Sequence, residues 1–81
     1  MTRSEIEQQL IAIVRQEKDI PADLLQAETE LAAAGIDSLD SLTILFAIEE
    51  QFRISIPDTT ARAMKTFGDM VDAVAGQLPA E

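Results

Sequence analysis

One stretch of the chain groups residue types that can do chemistry together: Gly35-Ile36-Asp37-Ser38-Leu39-Asp40-Ser41-Leu42. It sets a primary hydroxyl, Ser38, ahead of an apolar run and between two carboxylates. If that run is a helix, Ser38 stands at its start, where backbone amides lack intrahelical partners and the dipole is positive. A phosphodiester bonded to the hydroxyl would be favoured there. Asp37 and Asp40 argue against a free anion, but not against a covalent one installed by an enzyme, and they could help hold the metal ion such an enzyme brings. The same residues fit a plainer role. Ser and Asp are the commonest helix N-caps, so Asp-Ser before an apolar helix requires no chemistry at all.

Composition removes several other chemistries. The chain of 81 residues contains neither Cys nor His. Disulfide staples and thiolate metal sites are excluded, and so are the usual general base and pH switch. A self-contained enzyme is therefore not expected. No calcium-loop spacing is present, so no metal site is expected. The net charge is −9, from 15 acidic and 6 basic residues. That balance disfavours nucleic acid and suits docking onto basic patches of other proteins, although it also serves solubility alone. Arg3, Glu5 and Glu7 interrupt the first turns as a signal peptide would not, and no apolar run approaches a membrane span. A cytoplasmic, monomeric protein is the expectation.

The elements that would position Ser38 can be read from apolar spacing. Apolar residues recur at helical intervals, and the three Pro and three Gly fall between or at the ends of patterned segments. The class is all-α: a small four-helix bundle of three longer helices and one short one, a single domain over residues 1–81. The first helix runs from about Ser4 to Lys18 with Ile6, Leu10, Ile13 and Val14 on one face. Thr2 or Ser4 caps it, and Ile20-Pro21 ends it. A long connection to Asp37 follows, anchored by Leu24, Leu25 and Leu31, with a helical turn at Ala32-Ala33-Ala34 closed by Gly35.

The second helix runs from about Ser38 to Phe52. Leu39, Leu42, Leu45, Ile48 and Phe52 form its stripe, and Ile44 and Phe46 widen it. A helix this apolar either touches several neighbours or carries residues meant for another protein. Ile54-Ser55-Ile56-Pro57 reads as an extended turn. Asp58 then caps a short helix with Ala61 and Met64 inward. Thr66 to Asp69 forms a capping box for the last helix, which buries Phe67, Met70, Val71, Val74 and Leu78 and frays at Gly76 and Pro79.

The wider pattern favours the first reading of Ser38. Thr29-x-Leu31-x-x-x-Gly35-Ile36-Asp37-Ser38-Leu39, then Glu49-Glu50-x-Phe52, Ile56-Pro57-Asp58 and Thr66-x-x-Asp69 resemble the acyl carrier protein family over nearly the whole chain. The resemblance implies that Ser38 receives a phosphopantetheine arm from coenzyme A through a separate phosphopantetheinyl transferase. The arm's thiol would hold an acyl or aminoacyl group as a thioester, which supplies a thiol to a chain without Cys. It implies that Asp37 and Leu39 flank the attachment point and that Leu39 meets the transferase and later enzymes. It implies that the second helix is the recognition helix, with Asp40, Leu42, Phe46, Glu49 and Glu50 facing partners. Leu45, Ile48, Ala61, Met64 and Val71 become candidates for lining a space that takes an acyl chain, each with ordinary core packing as its rival.

The chain also departs from the family pattern. Thr43 stands where fatty-acid carriers usually have Glu, and Ala34 replaces a large apolar residue before Gly35. Arg53 and Arg62 interrupt the acidic face. These differences leave open fatty acid, polyketide, peptide or a specialised lipid pathway. A carrier-like adaptor that binds partners but is never loaded, with Ser38 only a cap, is the alternative.

Overall fold

In the computed structural model, which describes residues 2–78, the chain forms four helices joined by one long connection and two short ones. Helix α1 spans Arg3–Glu17, α2 Ser38–Phe52, α3 Asp58–Ala63 and α4 Phe67–Gln77, and a single 3-10 turn covers Ala22–Leu24. Among the described residues no helix is long and apolar enough to cross a membrane.

Three of the helices start on the same device. Thr2 accepts the amide of Glu5 at 3.2 Å, and the Glu5 carboxylate accepts the amide of Thr2 at 2.9 Å. Asp37 with Asp40 and Thr66 with Asp69 repeat this reciprocal box at α2 and α4. Each box satisfies two amides that a helix start leaves without partners. Helix α3 differs. Asp58 is not its cap but its first residue; Pro57 holds the cap position without a side-chain bond, and Asp58 pairs with Arg62 at 2.8 Å. Proline suits that position because its fixed φ leads into the helix.

The core is apolar throughout. It takes Ile6, Leu10, Ile13 and Val14 from α1, Ile44 and Ile48 from α2, and Phe67, Met70, Val71 and Val74 from α4. Each such side chain contributes roughly 1.5–3 kcal/mol by leaving water. Among the described residues no polar or charged side chain is buried. Helix α1 packs on α2 and α4, and α3 leans on α4. The α2–α3 face is looser, and it opens into a groove.

The long connection is pinned from both sides. Ile20, Leu25, Leu31 and Ile36 enter the core, whereas Leu24, expected as an anchor, is exposed because the 3-10 turn points it outward. Leu31 donates its amide to the Lys65 carbonyl, Phe67 to Thr29 and Gly68 to Ala27, so the connection is stitched to the start of α4. Gly68 permits that approach: a Cβ there would lie 2.7 Å from the Ala27 carbonyl oxygen. Gly35, at φ +92°, closes the Ala32–Ala34 turn as expected, and the Ile36 amide returns to the Leu31 carbonyl. Gly76 lies within α4, which continues to Gln77, and Leu78 is partly buried. Pro79 lies outside the described residues.

Candidate cofactor attachment site

The first turn of α2 fixes Ser38 through its neighbours. Asp37, in extended backbone, is the N-cap; its carboxylate accepts the Asp40 amide at 2.8 Å, and Asp40 accepts the Asp37 amide at 3.2 Å. The Ser41 amide reaches the Asp37 carbonyl at 2.9 Å. Ser38 therefore occupies the first helical position and not the cap. Its side chain is exposed, and the bonds that cap the helix are made without it. The capping role read for the Asp-Ser pair falls to Asp37 alone.

Electrostatics around the hydroxyl are uneven. The Lys18 ammonium lies 3.0 Å from Asp40 Oδ2. This bond, with the Asp37 amide, holds the Asp40 carboxyl below the usual carboxylate range and pushes Lys18 above the usual lysine range. One of the two carboxylates flanking Ser38 is thus paired with a cation. Lys18 was read only as the end of the first helix, and the packing of α1 brings it to α2.

A groove of about 640 Å³ runs beside Ser38 between α2, α3 and the long connection. Leu31, Ile36, Leu42, Leu45, Ala61 and Met64 make its apolar wall, and Ser38 and Ser41 border it. Leu45, Ala61 and Met64 were expected in such a space. Ile48 and Val71, also expected, are sealed in the core instead. Leu31 and Ile36, which sequence reasoning did not assign to the groove, reach it because the closed turn at Gly35 folds the connection back over α2.

The outer face of α2 carries Leu39, Leu42 and Phe46, which are 75%, 48% and 59% exposed. With exposed Glu50 they lie on one side of the helix, opposite Ile44 and Ile48. Of the apolar stripe expected for α2, only Ile48 is fully buried, while Leu45 and Phe52 are partly so. Two of the expected recognition carboxylates are engaged internally. Asp40 closes the capping box and pairs with Lys18; Glu49 accepts the Ile56 amide at 2.8 Å and is half-buried. The departures at Thr43 and Arg53 also have local roles. The Thr43 hydroxyl donates to the Leu39 carbonyl at 3.1 Å, and Arg53 ends α2 in the left-handed region at φ 56°.

The family model for the phosphopantetheine attachment site matches residues 8–74, a span that includes the whole of α2 and the groove. The chain belongs to the acyl carrier protein family. It is 33% identical over 81 residues to the acyl carrier protein of Thermosynechococcus vestitus, covering 99% of this chain and 100% of that one. It is 33% identical over 76 residues to the acyl carrier protein of Porphyromonas gingivalis, covering 93% and 97%. It is 34% identical over 73 residues to acyl carrier protein 4, chloroplastic, of Arabidopsis thaliana, covering 89% of this chain and 53% of that one. Acyl carrier proteins are carriers, not catalysts, and their cofactor is phosphopantetheine. The residues here fit that group. A primary hydroxyl free of capping duty stands exposed at a helix start, the amides of Ser38 and Leu39 have no acceptor within the helix, and an apolar groove adjoins them.

Proposed function

We propose that Ser38 is the attachment point of the phosphopantetheine arm, and that this carrier presents acyl groups to partner enzymes. The observation that carries the reading is the position of Ser38. It is an exposed hydroxyl with the capping bonds made by Asp37 and Asp40, bordering an apolar groove inside the matched segment.

The arm supplies a terminal thiol on which cargo is held as a thioester. Everything else falls to the protein's own residues. Asp37 and Asp40 hold the first turn so that the Ser38 oxygen faces outward to a transferase. In loading, that oxygen would bond to the phosphorus bearing the pantetheine half of coenzyme A, the diphosphate bridge would break, and the nucleotide half would leave with its phosphate. Proton removal from Ser38 is assigned to the transferase, because the Asp37 and Asp40 carboxylates are engaged in the capping box. Leu39, Leu42 and Phe46 offer an apolar docking face, and Glu50 is the expected recognition carboxylate left exposed on that face. The transferase and the acyl-loading enzymes are the expected partners of this face. Leu42, Leu45, Ala61 and Met64 give cargo an apolar wall, which favours acyl over aminoacyl groups. Fatty acid synthesis suits an apolar chain. A specialised lipid or polyketide pathway is the reading favoured by the altered recognition face, where Thr43 replaces an acid. A single domain over residues 1–81, acting as a monomer in the cytoplasm, accords with this role.

Intact mass measurement tests the reading. Incubation of the apo protein with coenzyme A and a broad-specificity phosphopantetheinyl transferase adds one arm to the wild type and none to Ser38→Ala. Failure to gain mass with several such transferases would leave the unloaded adaptor as the better account.

A further inference from the structure

Helix α2 is tied to the end of α1 at one oxygen atom. Asp40 Oδ2 accepts the Asp37 amide at 3.2 Å and also meets the Lys18 ammonium at 3.0 Å. Lys18 is itself held, since its amide donates to the Val14 carbonyl at 2.8 Å and its carbonyl accepts the Ile20 amide at 2.9 Å. The Asp40 side chain is only 18% exposed, against 42% or more for the carboxylates of the other ion pairs among the described residues. A half-sheltered pair with backbone support on both sides is better ordered than an open surface pair.

This arrangement bears on the hydroxyl two residues before Asp40. Asp37 and Asp40 both place negative charge beside a group that must accept an anionic phosphate. Lys18 neutralises one of them and keeps its carboxylate turned into the capping box. We infer that Lys18 is a positioning residue for the loading of Ser38: it acts through Asp40 to fix the first turn of α2 and to lower the negative charge facing the incoming phosphate. The inference rests on the proposed attachment at Ser38 and adds a residue from a different helix to it. Neither Lys18 nor its pairing was suggested by the attachment motif, which begins well downstream.

The test compares loading kinetics of the full chain with coenzyme A and one transferase. Lys18→Gln is expected to lower kcat for arm transfer about two- to fivefold, the range of an ion pair of this exposure, and Lys18→Arg to restore it. Arg15→Gln removes the same charge from the last turn of α1 without touching Asp40, and is expected to load like the wild type. In an Asp40→Asn background, Lys18→Gln is expected to have no further effect. Hydrogen exchange read at the Asp40 and Ser41 amides is expected to speed up in Lys18→Gln, a local loosening independent of loading.

Wild-type kcat and unchanged exchange in Lys18→Gln would overturn the inference, while Ser38 as the attachment point would stand. An equal fall in Arg15→Gln would overturn it in favour of net charge, and a full Lys18→Gln effect in Asp40→Asn would overturn the route through Asp40. If the wild type takes up no arm at all, the attachment reading fails and this inference fails with it.

Discussion

Helices α2 and α4 are both rich in apolar residues, yet they use them in opposite ways. Helix α4 turns Phe67, Met70, Val71 and Val74 inward and leaves Asp72, Gly76 and Gln77 outside. Helix α2 is longer but fully buries only Ile44 and Ile48, and holds Leu39, Leu42 and Phe46 in water. Large apolar side chains kept exposed along one helix face do not help the chain fold. On the function proposed above, they form the part of the surface that a partner enzyme covers. The difference teaches that α4 spends its apolar residues on the core, while α2 keeps three of them exposed beside Ser38, where the proposed function needs a docking face.

The largest test of that contrast is a pair of truncations. Met70→Ala should lower stability by about 2–5 kcal/mol in urea unfolding, the range for emptying a sealed core site. Phe46→Ala should change it by less than about 0.5 kcal/mol, as an exposed substitution does. The same Phe46→Ala should slow arm transfer by a transferase. Equal destabilisation by the two would break the division of labour.

A smaller effect is expected where α4 meets the long connection. Gly68→Ala places a methyl 2.7 Å from the Ala27 carbonyl oxygen, a backbone atom that cannot swing aside. The expected loss is about 1–3 kcal/mol, the range for overpacking, read as a lowered urea midpoint. No change would mean that the stitch between connection and α4 is looser than the structure has it.

The smallest effect separates the capping boxes of α2 and α4 by pH and salt. Backbone amides of Lys65 and Thr66 lower the pKa of Asp69, and the Lys18 ammonium followed by the Asp37 amide lowers that of Asp40. A lowered folded-state value means that both contribute stability above their ordinary value of 3.8, lost as pH falls below it through the folded-state values. Lys18 runs the other way: its contribution is present below its ordinary value of 10.5 and lost as pH rises past it. Melting temperatures across acid pH should therefore fall below about pH 4. Added salt should shrink the Asp40 part more, because it alone includes an ion pair. An acid profile identical in Asp40→Asn and wild type would remove Asp40 from this account.

Much of the scaffold was legible in the sequence, and the reasons are local. Helix α2 begins and ends where its apolar run and caps predict, α1 begins and ends one residue earlier than predicted, and the Thr66–Asp69 box is where its spacing puts it. What was not legible depends on which of two apolar faces turns inward. Periodicity finds a face on α4, where polar residues mark the other side. On α2, apolar residues surround much of the helix, so spacing alone put exposed Leu39 and Leu42 on one stripe with buried Ile48. Leu24 was misplaced for a similar reason: two adjacent leucines carry no sign of which one the 3-10 turn will expose. The internal partners of Asp40 and Glu49, Lys18 and the Ile56 amide, were not legible because folding and not neighbouring sequence supplies them.

The central claim is that Ser38 carries the arm, and Ser41 offers the closest competing hydroxyl, one turn on and bordering the same groove. Fragmentation of the loaded wild-type chain by mass spectrometry should place the added arm on the peptide bond interval that contains Ser38 and leave Ser41 unmodified. An arm found on Ser41, or on any other residue, would contradict the account.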